Sequence, residues 1–150
     1  MDRSPAPNAT MTKFGFPATV VADYDAWTVQ LRPKQVTLGS LVLVCKAPVK
    51  AFHEIGAAAF ADLERATTDI ERVLGDLVRY ERINYLMLMM VDPDVHFHVI
   101  PRYSQARSFA GVEFVDVGWP GPPDLKTGID VEDSLRAALI TALRTEWKKA

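Results

Sequence analysis

The feature that most narrows the fold is a change of hydrophobic period near the middle of the chain. From about Gly56 to Tyr80, the residues Ala59, Phe60, Leu63, Ile70, Val73, Leu74 and Leu77 recur three and four apart. Asp62, Glu64, Arg65, Asp69, Glu71 and Arg72 fall largely between them. That spacing predicts one long amphipathic helix with a single apolar stripe. On either side the apolar residues come instead in short runs of strand length. A striped helix has to bury its stripe, and here the partners on offer are strands.

Ahead of the helix, TVVADYDAWTVQL predicts two strands joined at Asp23-Tyr24-Asp25. RPKQVTLGS reads as a connection punctuated by Pro33 and Gly39, and LVLVCK as a short buried strand. After the helix, INYLMLMMV (Ile83 to Val91) is too apolar to face water on either side and predicts a central strand. A turn at Asp92-Pro93 then leads into the strand DVHFHVI. GVEFVDV offers a further strand. WPGPP (Trp119 to Pro123) can be neither helix nor central strand, because its prolines lack the donors. A C-terminal helix is expected from near Asp130 as N-cap, with Glu132 and Asp133 in its first turn and Lys148 and Lys149 at its end. Leu135, Leu139, Leu143 and Trp147 form its stripe. The sum is an α+β fold: a mainly antiparallel sheet with one long helix packed on it and a C-terminal helix. Residues 1–15, rich in Pro, Ala, Asn and Thr, are expected to be a flexible arm, and residues 16–150 a single domain.

Composition removes several function classes. With 49% hydrophobic and 24% charged residues the chain is an ordinary globular protein, and its formal charge of -2 gives no basic footprint for a nucleic acid duplex or an anionic membrane. Cys45 is the only cysteine, so there is no internal disulfide and no multi-cysteine metal cage; inside LVLVCK it reads as a buried, inert thiol. No apolar run approaches the ~20 residues of a membrane span. The N-terminal stretch lacks the apolar core of a signal peptide, so a cytoplasmic location is expected.

The stretch that carries chemistry is DVHFHVIPRY, Asp94 to Tyr103. On a strand, side chains alternate, so Asp94, His96 and His98 share one face, about 7 Å apart, while Val95, Phe97 and Val99 share the other. Three readings stand at this level. The trio could be surface or hydrogen-bonded core residues of an ordinary strand. It could ligate zinc or iron, with His53 as a further ligand. Or a neutral histidine on a rigid strand could attack phosphorus while its neighbours orient the phosphate.

HFHVIPR resembles the signature of the histidine triad superfamily, in which three histidines alternate with apolar residues and Pro-Arg often follows. The likeness extends over roughly residues 18 to 103: a strand, GSLVLVCK, AFHEI, the long helix, a strand containing Asn84, then the motif. The WPGP tail is similar to that of some bacterial members. The resemblance implies a nucleotide hydrolase or nucleotidyl transferase, often a homodimer, acting at the α-phosphate of a nucleoside polyphosphate, dinucleoside polyphosphate or phosphoramidate. It implies His96 as the nucleophile that forms a nucleotidyl-histidine (phosphoramidate) intermediate and His98 as the phosphate-orienting partner. Asp94 stands where the first histidine would be, as an orienting group or a substitute for leaving-group assistance. The usual glycine and glutamine or serine before the motif are replaced by LMLMMVDP. Asn84, Arg102 and His53 are the expected nucleotide contacts, with no cofactor required and a divalent metal as an option. A nucleotide-binding module with little or no catalysis, and a metal-dependent hydrolase built on Asp94, His96 and His98, are the two rivals. Trp119 either closes the cleft or covers core, and the methionines of LMLMMV are core residues.

Overall fold

The structure, a computed structural model, describes residues 6–149. Five antiparallel strands make the main sheet: β1 (Val20–Asp23), β2 (Trp27–Leu31), β4 (Leu41–Cys45), β6 (His96–Arg102) and β5 (Arg82–Leu86), in that spatial order. A two-residue β3 (Lys34–Gln35) pairs with β9 (Ile129–Asp130), and β7 (Arg107–Phe109) forms a hairpin with β8 (Val112–Phe114). The α+β architecture is as the periods predict.

The long helix is α2 (Ala57–Val78), and its buried residues include Ala59, Ala66, Ile70, Val73, Leu74 and Val78. It lies on one face of the sheet, where Val29 of β2, Leu43 of β4 and Phe97 of β6 are in register. Two polar ties fix its angle. The Trp27 indole donates to the Ala59 carbonyl at 2.8 Å, and the buried Asp62 carboxylate accepts the Ala26 N–H at 2.7 Å. Gly39 lets the chain pass close beneath the last turn of α2. A side chain there would sit 2.9 Å from Val78 Cγ2, and its φ of +87° suits glycine. The C-terminal helix α3 (Asp133–Trp147) buries Leu135, Leu139 and Leu143 beside α2 and β1, as its stripe predicts. It begins two residues later than expected, because Asp130 is taken up by β9 and Glu132 is the N-cap residue.

Two expectations need correction. Within the stretch read as a flexible arm, Ala9–Lys13 form a short helix, α1, whose N-cap Asn8 accepts the Met11 N–H; Met11 and Phe14 are buried against Val42 and Val44. Residues 1–5 of that arm lie outside the described residues. The apolar run Ile83–Val91 is not a central strand: β5 stops at Leu86 and forms one edge of the sheet, while Met90 and Val91 are more than four-fifths exposed. GVEF forms the expected strand, in a hairpin with β7 outside the main sheet. No helix is long and apolar enough to cross a membrane among the described residues.

Candidate active site

The face of the sheet opposite α2 carries the histidines. Thr28 and Gln30 from β2, Val42 and Val44 from β4, and His96 and His98 from β6 line up across it. Alternation puts them there: Phe97 and Val99 go to the helix side, so His96 and His98 go to the other. α1 then lies across this face, and Gln30 Nε2 donates to the Met11 carbonyl at 3.0 Å.

His96 is 2% exposed, and its Nδ1 sits 2.7 Å from the backbone carbonyl of Asp94. A carbonyl only accepts, so in the neutral imidazole Nδ1 carries the proton and Nε2 keeps the lone pair. Which ring nitrogen keeps its lone pair is thereby set by a backbone contact two residues away. His98 stands edge-on to His96 with ring centroids 5.1 Å apart. Its Nδ1 is buried and has no hydrogen-bond partner among the described residues. Burial, reinforced by the Arg32 guanidinium and by His96, pushes its pKa down to about 4, with Asp92 pulling weakly the other way. His98 is neutral at physiological pH. An orphaned, buried ring nitrogen is costly unless something arrives to meet it.

Both rings open onto a cavity of about 290 Å³, whose walls include Lys13, Phe14, Arg32, Met89 and Asp92. Phe14 meets His98 edge-on at 5.8 Å and His96 at 6.4 Å. Lys13 is paired with Asp92 at 2.8 Å. Arg32 spends one Nη1 donor on the Lys34 carbonyl at 2.7 Å, while its Nε is buried without a partner among the described residues. The cavity thus joins a fixed imidazole lone pair, a neutral second imidazole and a guanidinium with donors to spare. That set can receive a phosphoryl group.

Other sequence-derived candidates fall elsewhere. Asp94 is buried at the entry to β6, but its carboxylate faces α1: Oδ2 accepts the Thr10 N–H at 3.3 Å and the Thr10 hydroxyl at 3.0 Å. Asp94, His96 and His98 therefore do not converge, and no cluster of three or more His, Cys, Asp or Glu side chains arranged for a metal occurs among the described residues. Arg102, expected to contact the nucleotide, is 3% exposed and already engaged. It donates to both carboxylate oxygens of the buried Asp116 at 2.7 and 3.1 Å, to Asn84 Oδ1 at 2.8 Å and to the Gly121 carbonyl at 2.8 Å. Asn84, also an expected contact, thus serves Arg102. Together with Trp119 they line a second cavity of about 470 Å³ under the Pro-rich segment, so Trp119 lines a cleft rather than the core. His53 is exposed in the short 3₁₀ turn Phe52–Ile55, where Phe52 packs on Phe97 on the α2 side of the sheet. The methionines divide: Met87 and Met89 are partly buried against the core, whereas Met90 is exposed. Cys45 is buried, which pushes its thiol pKa up and keeps it inert.

Arg32, Lys13 and Phe14 line the cavity without having stood out in the sequence. Arg32 sits in what reads as a plain Arg-Pro-Lys connection, and only the fold brings it to His98. Phe14 and Lys13 did carry a signal, an N-capping Asn8 followed by Met11 and Phe14 at helical spacing, obscured by the surrounding Pro and Ala.

No protein-family model matches the chain, and a search of curated proteins finds no match. Solved structures do resemble it. A histidine triad protein from Sinorhizobium meliloti superposes with a TM-score of 0.74 at 18% identity, covering 94% of this chain and 96% of that one. One from Bradyrhizobium japonicum gives 0.72 at 17%, with the same coverage. A hypothetical histidine triad nucleotide-binding protein from Sulfolobus tokodaii gives 0.64 at 17%, covering 87% and 84%. The five-stranded antiparallel sheet with the long helix behind it is thus the fold of these histidine triad proteins.

Proposed function

We propose that this protein is a nucleotide phosphohydrolase or nucleotidyl transferase that works through a nucleotidyl-histidine intermediate on His96. The observation that carries the reading is the contact from His96 Nδ1 to the Asp94 carbonyl, which leaves the Nε2 lone pair beside the cavity. Nε2 attacks the α-phosphorus, a P–N bond forms, and the bond from phosphorus to the leaving-group oxygen or nitrogen breaks with its electron pair. Water or another acceptor then attacks the same phosphorus and breaks the P–N bond. A neutral His98 can donate or accept at a phosphoryl oxygen without repelling a cationic neighbour, and Arg32 balances the charge that accumulates there. The histidine triad fold and the nucleotide-binding name of the Sulfolobus relative support a nucleotide as the substrate. A homodimer and a cytoplasmic location belong to the same reading, and the mass in solution tests the first.

The decisive test is a trap. Metal-free protein is incubated with nucleoside phosphoramidates and dinucleoside polyphosphates, quenched and digested. A nucleotidyl mass on the peptide containing His96, absent from His96→Ala, is the expected result. Saturable nucleotide binding without adduct or product would replace the enzyme with a binding module. Turnover that appears only with zinc or manganese would replace the metal-free mechanism.

A further inference from the structure

We infer that Asp94 is a positioning residue, the strap that holds residues 8–14 over the histidine pair, and that this N-terminal segment is a wall of the site. The reaction part of the inference rests on the function proposed above; the strap itself does not.

Asp94 occupies the position where the resemblance would have a histidine, and its two functional groups point in different directions. Its backbone carbonyl fixes the His96 ring. Its carboxylate takes the N–H and the hydroxyl of Thr10, the second residue of α1, with Lys50 Nζ 3.9 Å away on its other oxygen. A helix leaves its first N–H groups without internal partners, so a buried carboxylate there satisfies a donor that would otherwise be stranded. α1 has only five residues and could not persist alone in water. Four other contacts hold it to the sheet and to the loop before β6. Asn8 Nδ2 donates to the Cys45 carbonyl at 2.9 Å, Gln30 to the Met11 carbonyl, Lys13 pairs with Asp92, and Met11 with Phe14 packs on Val42 and Val44. Asp94 is the partner in this set whose backbone carbonyl also meets the His96 ring nitrogen.

The strap bears on chemistry through Phe14 and Lys13. They close the side of the cavity nearest His98, and burial is the largest cause of the low His98 pKa. The charged or titratable groups facing His98 are Arg32, His96, Asp92 and Lys13, and two of them, Asp92 and Lys13, form the ion pair that ends the strap. Release of α1 would admit water to His98 and disperse that pair. A neutral imidazole at position 94 offers a single acceptor nitrogen, so it could not take both the peptide N–H and the hydroxyl of Thr10 as the carboxylate does.

The test compares Asp94→Ala, Asp94→Asn, Asp94→His and Thr10→Val with the unaltered protein by two readouts independent of turnover. Trypsin cleavage after Lys13, followed by mass, should quicken about tenfold or more in Asp94→Ala as the segment opens. The His98 titration, followed by NMR of the ring protons, should rise by about one unit or more toward its ordinary value. Asp94→Asn, which keeps an oxygen acceptor for Thr10, should fall between, and Asp94→His should behave as Asp94→Ala rather than gain activity. Thr10→Val removes the hydroxyl bond and keeps the backbone one, so it should move both readouts in the same direction by less than Asp94→Ala, and it decides the matter should Asp94→Ala not fold. Unchanged cleavage and an unchanged His98 titration in Asp94→Ala, or in Thr10→Val, would overturn the strap. Loss of the His96 adduct in Asp94→Ala with both readouts unchanged would place the carboxylate on the substrate and overturn the positioning role. If no variant forms an adduct, the unaltered protein included, the proposed reaction fails while cleavage and titration still judge the strap.

Discussion

The two ends of β6 put polar side chains on the same face of the same strand and use them in opposite ways. At one end His98 has a buried ring nitrogen with no partner among the described residues and His96 a free lone pair, both at a cavity. At the other end Arg102 spends four donor contacts on Asp116, Asn84 and Gly121. Residue type does not separate them, since an arginine is as good a phosphate ligand as a histidine. Satisfaction does. A buried polar group whose hydrogen bonds are complete is holding the fold together, and one whose bonds are incomplete is available to a ligand.

The largest effect should come from the satisfied end. Asp116→Ala leaves the Arg102 guanidinium buried and uncompensated, since the pair's side chains are only 4% and 1% exposed. Removing one partner of such a pair costs about 3–5 kcal/mol. It would also release the segment that Gly118 packs so closely against Pro122 and Arg102 that no side chain fits. Chemical denaturation should show the loss; a change below about 1 kcal/mol would mean the pair is solvated in solution and the comparison is wrong.

At the unsatisfied end, His96→Ala should abolish adduct formation and lower turnover by about a thousandfold or more. Its stability should change by less than that of Asp116→Ala. A variant that unfolds instead would make His96 a core residue. Arg32→Ala should weaken nucleotide binding by about tenfold to a hundredfold, the worth of one charge-assisted contact, with a smaller effect on the chemical step. Equal affinity in the two proteins, measured by calorimetry, would remove Arg32 from the site.

His98 also carries a pH signature. Its pKa is pushed down to about 4 in the fold from 6.5. Above 6.5 the ring is neutral in both folded and unfolded chains and contributes nothing. Between 6.5 and 4 the unfolded chain takes up the proton and the fold does not, so stability falls as pH falls. Below 4 both are protonated, and the full penalty of roughly 3 kcal/mol is in place. Denaturation midpoints of the unaltered protein and of His98→Gln, compared from pH 7 to 4, should therefore converge or cross as the pH drops. Parallel curves would show that His98 is not buried neutral.

Where the sequence could be read, it was read through periodicity; where it could not, the missing information lay between distant residues. α2, α3, β1, β2 and β4 follow from local spacing, and so do the opposed faces of His96 and Phe97. The run Leu88 to Val91 looks like strand because it is apolar, yet its side chains line the mouth of the cavity or face water. Apolarity measures a cost of exposure, not whether the fold bears it. Asp116 sits fourteen residues beyond Arg102, past the β7–β8 hairpin, and Thr10 eighty-four residues before Asp94; no local pattern announces either pair. His98 and Arg32 meet by the same kind of accident of topology.

The smallest effect should fall on the third histidine, which lies off β6 altogether. His53 opens the approach to α2 on the far side of the sheet, exposed, beside a Phe52 that packs on Phe97 and Phe60. It neither lines the cavity nor fills a space, so His53→Ala should leave stability within about 0.5 kcal/mol. Turnover should stay within about twofold, because the stabilisation that a twofold change represents is less than half a kcal/mol and His53 has no route to the phosphate. A drop comparable to that of His96→Ala would require His53 to reach a substrate from the opposite face. Within one chain that is barred by the sheet. It could come only from a second copy, and a His53→Ala loss that vanished on dilution would identify the dimer that supplies it.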